Sequence, residues 1–297
     1  VEIKLVAGRK NAGDSWFDLE QGIAMASDKW QRPTGKEATK ADDTMLLSFS
    51  SGTSGYPKMV CHNFKYPLGH IMTGVFWHRV VDGGLHFTIS DTGWLKSLWG
   101  KIYGQWFGES AVLVYDFEKF DGADILGVLQ DYKVTTFCVP PTMYRMMLLN
   151  DVEKYDLSSL THCCTAGEAL NPEVYRQFEK ATGLQIIEGF GQTESTMIIG
   201  NMVGASHKIG SMGKPAPIYD VELIDADGNP VATGEVGEIV VNVKDGAPCG
   251  LFTGYYGAPD KTAEVWHDGF YHTGDTAWRD EDGYYWYVGR VDDVIKS

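Results

Sequence analysis

The sequence predicts an α/β protein: a doubly wound, largely parallel sheet followed by a smaller antiparallel, β-rich subdomain. Two observations carry this. From residue 1 to about 205, short apolar runs alternate with segments of helical period, the pattern of strands joined by crossover helices. Beyond that point, period-two alternation and D-G turns take over, the marks of antiparallel hairpins.

The strand candidates, in order, are MLLSF (45–49), LHFTIS (85–90), AVLVY (111–115), VTTFCV (134–139), THCCTA (161–166) and LQIIEG (184–189). Each is short and mostly apolar, as a strand covered on both faces should be. Between them, Trp94, Leu95, Leu98, Trp99, Ile102, Tyr103, Trp106 and Phe107 recur at helical spacing, with lysine and glutamine opposite. Further along, Asn171 stands as an N-cap, Pro172 at the first helical position and Gly183 as the stop. Hairpins follow in YDVELIDADGNPVATGEVGEIVVNV and DEDGYYWYVGR. DADGNP is a turn rather than a calcium loop, since its glycine falls too early and no glutamate closes it. The subdomains are therefore drawn at 1–205 and 206–289. In open sheets of this kind, ligands sit outside the carboxyl ends of the strands.

Composition narrows the partners. A formal net charge of -15 repels nucleic acid and anionic membrane surfaces. A small anion would need local lysines, backbone N–H groups or a metal ion to hold it. No apolar run approaches the length of a membrane span. Five cysteines, an odd number without C-x-x-C spacing, read as free buried thiols of a reducing compartment. Cys163 and Cys164 are neighbours on one strand and should face opposite sides. VEIKLVAGRK has charges where a signal peptide needs an apolar stretch, so the expected location is the cytoplasm. His62, His70, His78 and His86 recur every eight residues. That spacing carries a helix past two turns, so the four cannot share one helical face and the repeat reads as coincidence. The chain opens on a strand-like run without methionine and stops at GRVDDVIKS without a cap, as a piece of a longer protein would.

SFSSGTSGYPKMV (48–60) is the richest stretch. Ser50, Ser51, Gly52, Thr53, Ser54 and Gly55 follow the strand that ends at Phe49. Glycines let backbone N–H groups approach an anion, hydroxyls add donors and Lys58 adds a point charge. Pro57 biases Tyr56 away from helix. The parts make a polyphosphate cradle, or else a solvated Ser/Gly loop; on their own they decide for neither. The spacing is not that of a Walker loop.

SSGTSGYPKM resembles the phosphate loop of the adenylate-forming superfamily of acyl-CoA synthetases, luciferases and adenylation domains. EGFGQTES (188–195) resembles its adenine and magnesium motif, FYHTGDTAWRDEDGYYWYVGR (270–290) its ribose-binding run, and GRVDDVIKS the start of its hinge. With SDTGW (90–94) and GEAL (167–170), the chain is most similar to the medium-chain acyl-CoA synthetases. The resemblance runs from end to end and makes residues 290–297 the start of a hinge to a further domain.

The resemblance implies an enzyme that activates a short-branched or medium-chain carboxylic acid with ATP and Mg²⁺. An acyl-adenylate forms, pyrophosphate leaves, and CoA thiol then displaces AMP. Lys58, Thr193 and Glu194 would be catalytic, with Glu194 the magnesium ligand. Nucleotide binding would fall to the 50–55 loop, Lys58, Gly167, Glu168, Ala169, Glu188, Gly189, Phe190, Gly191, Gln192, Thr193, Asp275 and Arg290. Gly167 to Ala169 could equally be an ordinary strand-to-helix turn. Asp275 would bind the ribose hydroxyls and Asp292 would be the hinge pivot. Gly191 stands where acetyl-activating relatives place tryptophan, leaving room for acyl methylenes at about 0.8 kcal/mol each. Trp94 resembles an acyl-channel residue, though it could instead open its amphipathic helix. The family's catalytic lysine lies on a domain that would follow Ser297, so residues 1–297 alone are expected to make no thioester at a useful rate. The alternatives are transfer to a carrier protein, or a catalytically silent nucleotide-binding homologue.

Overall fold

Strands Leu85–Thr88, Ala111–Leu113, Thr136–Cys138, His162–Ala166 and Ile186–Gly191 run parallel as the heart of a seven-stranded sheet. Its order is Lys214–Pro215, Met197–Gly200, Ile186–Gly191, His162–Ala166, Thr136–Cys138, Leu85–Thr88, Ala111–Leu113. The first two of these are antiparallel additions at one edge. The computed structural model describes residues 5–6, 16–50 and 57–291. It divides into two units, Val1–Lys40 and Ala41–Ser297. In the first, Leu5–Val6 pairs in parallel with Phe17–Asp18, and Asp18 caps a helix, Leu19–Met25, by accepting from Gln21 N–H at 2.9 Å.

Everything that follows belongs to the second unit. The two faces of the parallel sheet are covered differently. One packs Phe87, Phe137, Cys163 and Ile186 against Ile125, Leu129, Tyr144 and Phe178 of helices Gly122–Asp131, Pro141–Met147 and Pro172–Thr182. The other packs Cys138, Cys164 and Ile187 against Trp77, Trp99 and Met197. Cys163 and Cys164 thus face opposite sides, and the cysteines are free. Burying each of the large side chains stabilises the fold by about 1.5–3 kcal/mol.

Helix Pro172–Thr182 has the predicted ends. Asn171 accepts from Glu173 N–H at 2.8 Å, and Gly183 closes the helix at φ 73°. The long amphipathic stretch is instead two short helices, Lys96–Lys101 and Tyr103–Phe107, broken at Ile102 with φ -133° and ψ -83°. The backbone packs closely on both sides of the break. A Cβ at Gly104 would lie 2.6 Å from the His70 carbonyl oxygen, and one at Gly100 would lie 2.1 Å from Thr88 Oγ1. Past the break the apolar pattern loses its partner, and Trp106 and Phe107 are exposed.

MLLSF departs from the expected parallel sheet. Strand Thr44–Ser50 pairs antiparallel with Lys58–Asn63, which pairs in turn with Gly254–Tyr255. Ser50 stands opposite Lys58, so the strand expected to end in the parallel sheet belongs to an antiparallel pair. The five remaining named strands of the C-terminal part form an antiparallel sheet in the order Val221–Ile224, Val236–Asn242, Phe270–Arg279, Trp266–His267, with Tyr285–Arg290 also on Phe270–Arg279.

Candidate active site

The carboxyl end of strand Ile186–Gly191 delivers Gln192, Thr193 and Glu194 to the place where the parallel sheet, the hairpin and the antiparallel sheet meet. Two backbone anchors fix them. His62 Nε2 donates to the Thr193 carbonyl at 2.8 Å, and Phe252 N–H donates to the Glu194 carbonyl at 2.7 Å. The Glu194 carboxyl is pushed up by burial, and the Tyr255 hydroxyl, donating to Oε1 at 2.9 Å, pulls it back first, with Lys58 and Arg290 adding attraction. Lys58 Nζ lies 4.8 Å from the centre of the Tyr255 ring. One tyrosine therefore touches both the lysine and the glutamate, joining residues far apart in the chain.

Asp275 is the second focus. It is buried on strand Phe270–Arg279, opposite Arg290 on the neighbouring strand. Gln192 Nε2 donates to Asp275 Oδ2 at 2.5 Å and to the Thr273 carbonyl at 2.9 Å, while the Tyr271 hydroxyl donates to Gln192 Oε1 at 2.6 Å. The Tyr287 hydroxyl donates to Asp275 Oδ1 at 3.0 Å, and Arg290 Nη1 lies 3.9 Å from the same oxygen. Gly274, the residue before it on the same strand, takes φ +70°, and Glu238 Oε1 accepts its N–H at 2.9 Å. The carboxylate is thus oriented from several sides before any ligand arrives.

Two cavities share Asp275. The larger, about 790 Å³, is lined by Ser50, Lys58, Trp94, Gln192, Thr193, Glu194, Tyr255 and Arg290. The smaller, about 220 Å³, is a slot lined by Gly167, Glu168, Ala169, Glu188, Gly189, Phe190, Gly191 and Tyr287. Phe190 and Tyr287 border it with ring centres 6.3 Å apart. Gly167 turns at φ +96°, which favours glycine. Glu188 is buried at the slot wall, its carboxyl pushed up by burial. Among the described residues, no group of three or more His, Cys, Asp or Glu is arranged to hold a metal. A carboxylate with the geometry of Glu194 suits Mg²⁺, which binds through one or two carboxylates plus phosphate oxygens.

The sequence-derived candidates thus separate into two groups around one carboxylate. Ser51, Gly52, Thr53, Ser54, Gly55 and Asp292 lie outside the described residues. Gly191 requires a correction. A Cβ there would fall 2.3 Å from Cη2 of Trp99, so the room assigned to acyl methylenes is filled by that indole. Trp94 lies at the larger cavity and is 67% exposed, so it does not pack into the core. Sequence reasoning missed Tyr255, Tyr271, Tyr287 and Glu238. Alternation in YYWYVGR could have placed Tyr287 and Arg290 at a sheet end, but nothing local pairs Tyr255 with Glu194.

Comparisons with known proteins agree with this architecture. The family model described as AMP-binding enzyme matches residues 6–256. The human acyl-coenzyme A synthetase ACSM3, named as mitochondrial, is 41% identical over 97% of this chain and 49% of its own length. Human ACSM4, also named as mitochondrial, is 42% identical over 96% of the chain and 48% of its length. The chain spans about half the length of these curated relatives. Among solved structures, the anthranilate CoA ligase AuaEII in complex with anthranoyl-AMP superposes at TM-score 0.85 with 29% identity, over 100% of this chain and 56% of that one. The acyl-CoA synthetase of Brucella canis gives 0.84 with 27% identity, over 97% of this chain and 52% of that one. The relatives' mitochondrial names overturn the cytoplasmic placement. Free thiols mark a reducing compartment, and a mitochondrial matrix is one as much as a cytosol, so cysteine usage could not separate them. The matched family model, the relatives and the shared fold agree: the chain belongs to the AMP-binding enzyme family.

Proposed function

We propose that this chain carries the nucleotide- and acid-binding half of an acyl-CoA synthetase, in which ATP activates a carboxylic acid as an acyl-adenylate. One observation carries the reading: a single oriented carboxylate, Asp275, borders both the aromatic-walled slot and the larger cavity holding Lys58 and Glu194. A nucleoside triphosphate has this layout. Its base would enter the slot between Phe190 and the 167–169 backbone, its ribose hydroxyls would donate to Asp275, and its phosphates would extend toward Lys58 and Thr193.

The chemistry follows from charge. Attack of a substrate carboxylate on the α-phosphate builds negative charge on phosphorus-bound oxygens, so fixed donors lower the barrier more than any protein nucleophile. Lys58 supplies a cation there, and Arg290 a planar donor fork. Mg²⁺, held by Glu194 and the phosphates, would supply further charge neutralisation. Trp94 at the larger cavity supports an acyl site there, and a short-branched or medium-chain acid remains our reading of the substrate. Trp99 limits the space at Gly191. Thioester formation with CoA is the second half of the proposal, in line with the names of the relatives.

ATP–pyrophosphate exchange by the intact protein, run against a panel of carboxylates, tests this. We expect exchange dependent on butyrate or longer acids and weak with acetate. Preference for acetate overturns the substrate reading. Absence of exchange with every acid of the panel, while AMP still binds, marks a silent nucleotide-binding homologue.

A further inference from the structure

Behind the slot, the loop between strands Met197–Gly200 and Lys214–Pro215 brings in a histidine that the reading above does not use. The His207 side chain is 6% exposed, and neither ring nitrogen has a hydrogen-bond partner among the described residues. It faces the Glu188 carboxylate, Nε2 to Oε2 3.7 Å, and the Tyr175 ring, centres 5.4 Å apart. A buried imidazole with both nitrogens unsatisfied is costly, and the Glu188 carboxylate is the polar group it faces. Glu188 has the matching problem. Burial pushes its carboxyl up; His207 and the Gly210 N–H, which donates to Oε2 at 3.0 Å, pull it back.

The loop is also held in place on both sides of His207. The Tyr284 hydroxyl donates to the Ser206 carbonyl, and Lys208 Nζ donates to Asp280 Oδ2 at 2.7 Å and Asp282 Oδ2 at 2.6 Å. All three partners lie on or beside the turn joining Phe270–Arg279 to Tyr285–Arg290, the hairpin that carries Asp275 and Tyr287. His207 therefore reaches Glu188 from an anchored loop, and the two walls of the slot are mechanically tied.

We propose that His207 is a positioning residue for base recognition. It holds Glu188 as an oriented acceptor at the slot wall. The slot then selects a purine edge that donates an N–H, the exocyclic amine of adenine, over one that presents a carbonyl there. This rests on the nucleotide reading above and adds its base selectivity.

The test is calorimetric binding of AMP and of IMP to the intact protein, unmodified and as His207→Gln and His207→Leu. We expect the unmodified protein to favour AMP by about tenfold or more, as a hydrogen bond to a buried acceptor allows. The preference should shrink several-fold in His207→Gln and approach unity in His207→Leu. An unchanged preference in either variant overturns the proposal, and so does equal weakening of both ligands, which marks a merely structural role. If the leucine variant does not fold, the glutamine variant decides alone. If the unmodified protein binds neither nucleotide, the nucleotide reading itself fails. If it binds AMP and the variants keep their preference, only the role of His207 falls.

Discussion

Gly191→Ala is a sharp test of the packing beside the site. The added methyl would sit 2.3 Å from Trp99 Cη2 and 2.6 Å from the Thr196 carbonyl oxygen, against an ordinary contact of 3.4–4 Å. Neither neighbour yields cheaply. Trp99 is 6% exposed among Trp77, Cys138, Cys164, Ile187 and Met197, and Thr196 is fixed by its N–H to the Gly250 carbonyl at 2.9 Å. Overpacking of this kind costs about 1–3 kcal/mol. In a unit of this size that lowers Tm by roughly 2–12 °C. Calorimetric melting gives the loss, and a double-mutant cycle gives its cause. Trp99→Phe removes the indole atoms of the clash and leaves the Thr196 carbonyl contact, so Gly191→Ala should cost less on that background, a coupling of about 1 kcal/mol or more. An unchanged Tm for Gly191→Ala, or additivity within about 0.5 kcal/mol, would refute the claim that Trp99 fills this space.

Acid should unfold the protein from pH 6.5 downward. Burial holds His62 and His162 down to about 4 and His70 and His86 down to about 3, with His78 also lowered. Below 6.5 the unfolded chain takes up protons the folded one refuses, so stability falls by about 1.4 kcal/mol per pH unit for each such histidine. Glu188 and Glu194, raised by burial, act oppositely: they favour the fold below 4.5 and oppose it as pH rises through their folded values. The histidines outnumber them, and urea midpoints at pH 7.5 and 5.5 that coincide would contradict this balance. Lys58→Met should weaken ATP binding about tenfold and AMP binding little, since the proposed pose sets the phosphates toward the lysine in the larger cavity. Equal loss for both ligands in calorimetry would place Lys58 elsewhere. Tyr255→Phe removes the donor that first opposes the burial of Glu194. The acid limb of the exchange rate should move to higher pH with no loss of fold, and an unmoved limb would exclude Glu194 from the ionisations that govern activity.

The parallel sheet was legible because its central strands are buried on both faces and are written as short, mostly apolar runs. Helix Pro172–Thr182 was legible because its end signals, Asn171 and Gly183, act on their own backbone. The hairpin at 50–58 was not. Its second strand, KMVCHN, carries Lys58, His62 and Asn63 among few apolar residues, and its far partner is Gly254–Tyr255. A pairing that distant leaves no local mark in the sequence.

The histidine spacing shows the same limit from the other side. Reading His62, His70, His78 and His86 as one helix rightly failed, because each sits in a different local setting: a strand, a helix, the residue after a helical turn and another strand. Yet all four are buried, and His78 and His86 lie with ring centres 4.5 Å apart. Their shared environment comes from tertiary convergence rather than from periodicity. The candidate site follows this rule. Lys58, Gln192, Glu194 and Asp275 could be named from motifs, whereas the partners that hold them, Tyr255 on Glu194 and Tyr287 on Asp275, take their roles only when distant strands meet.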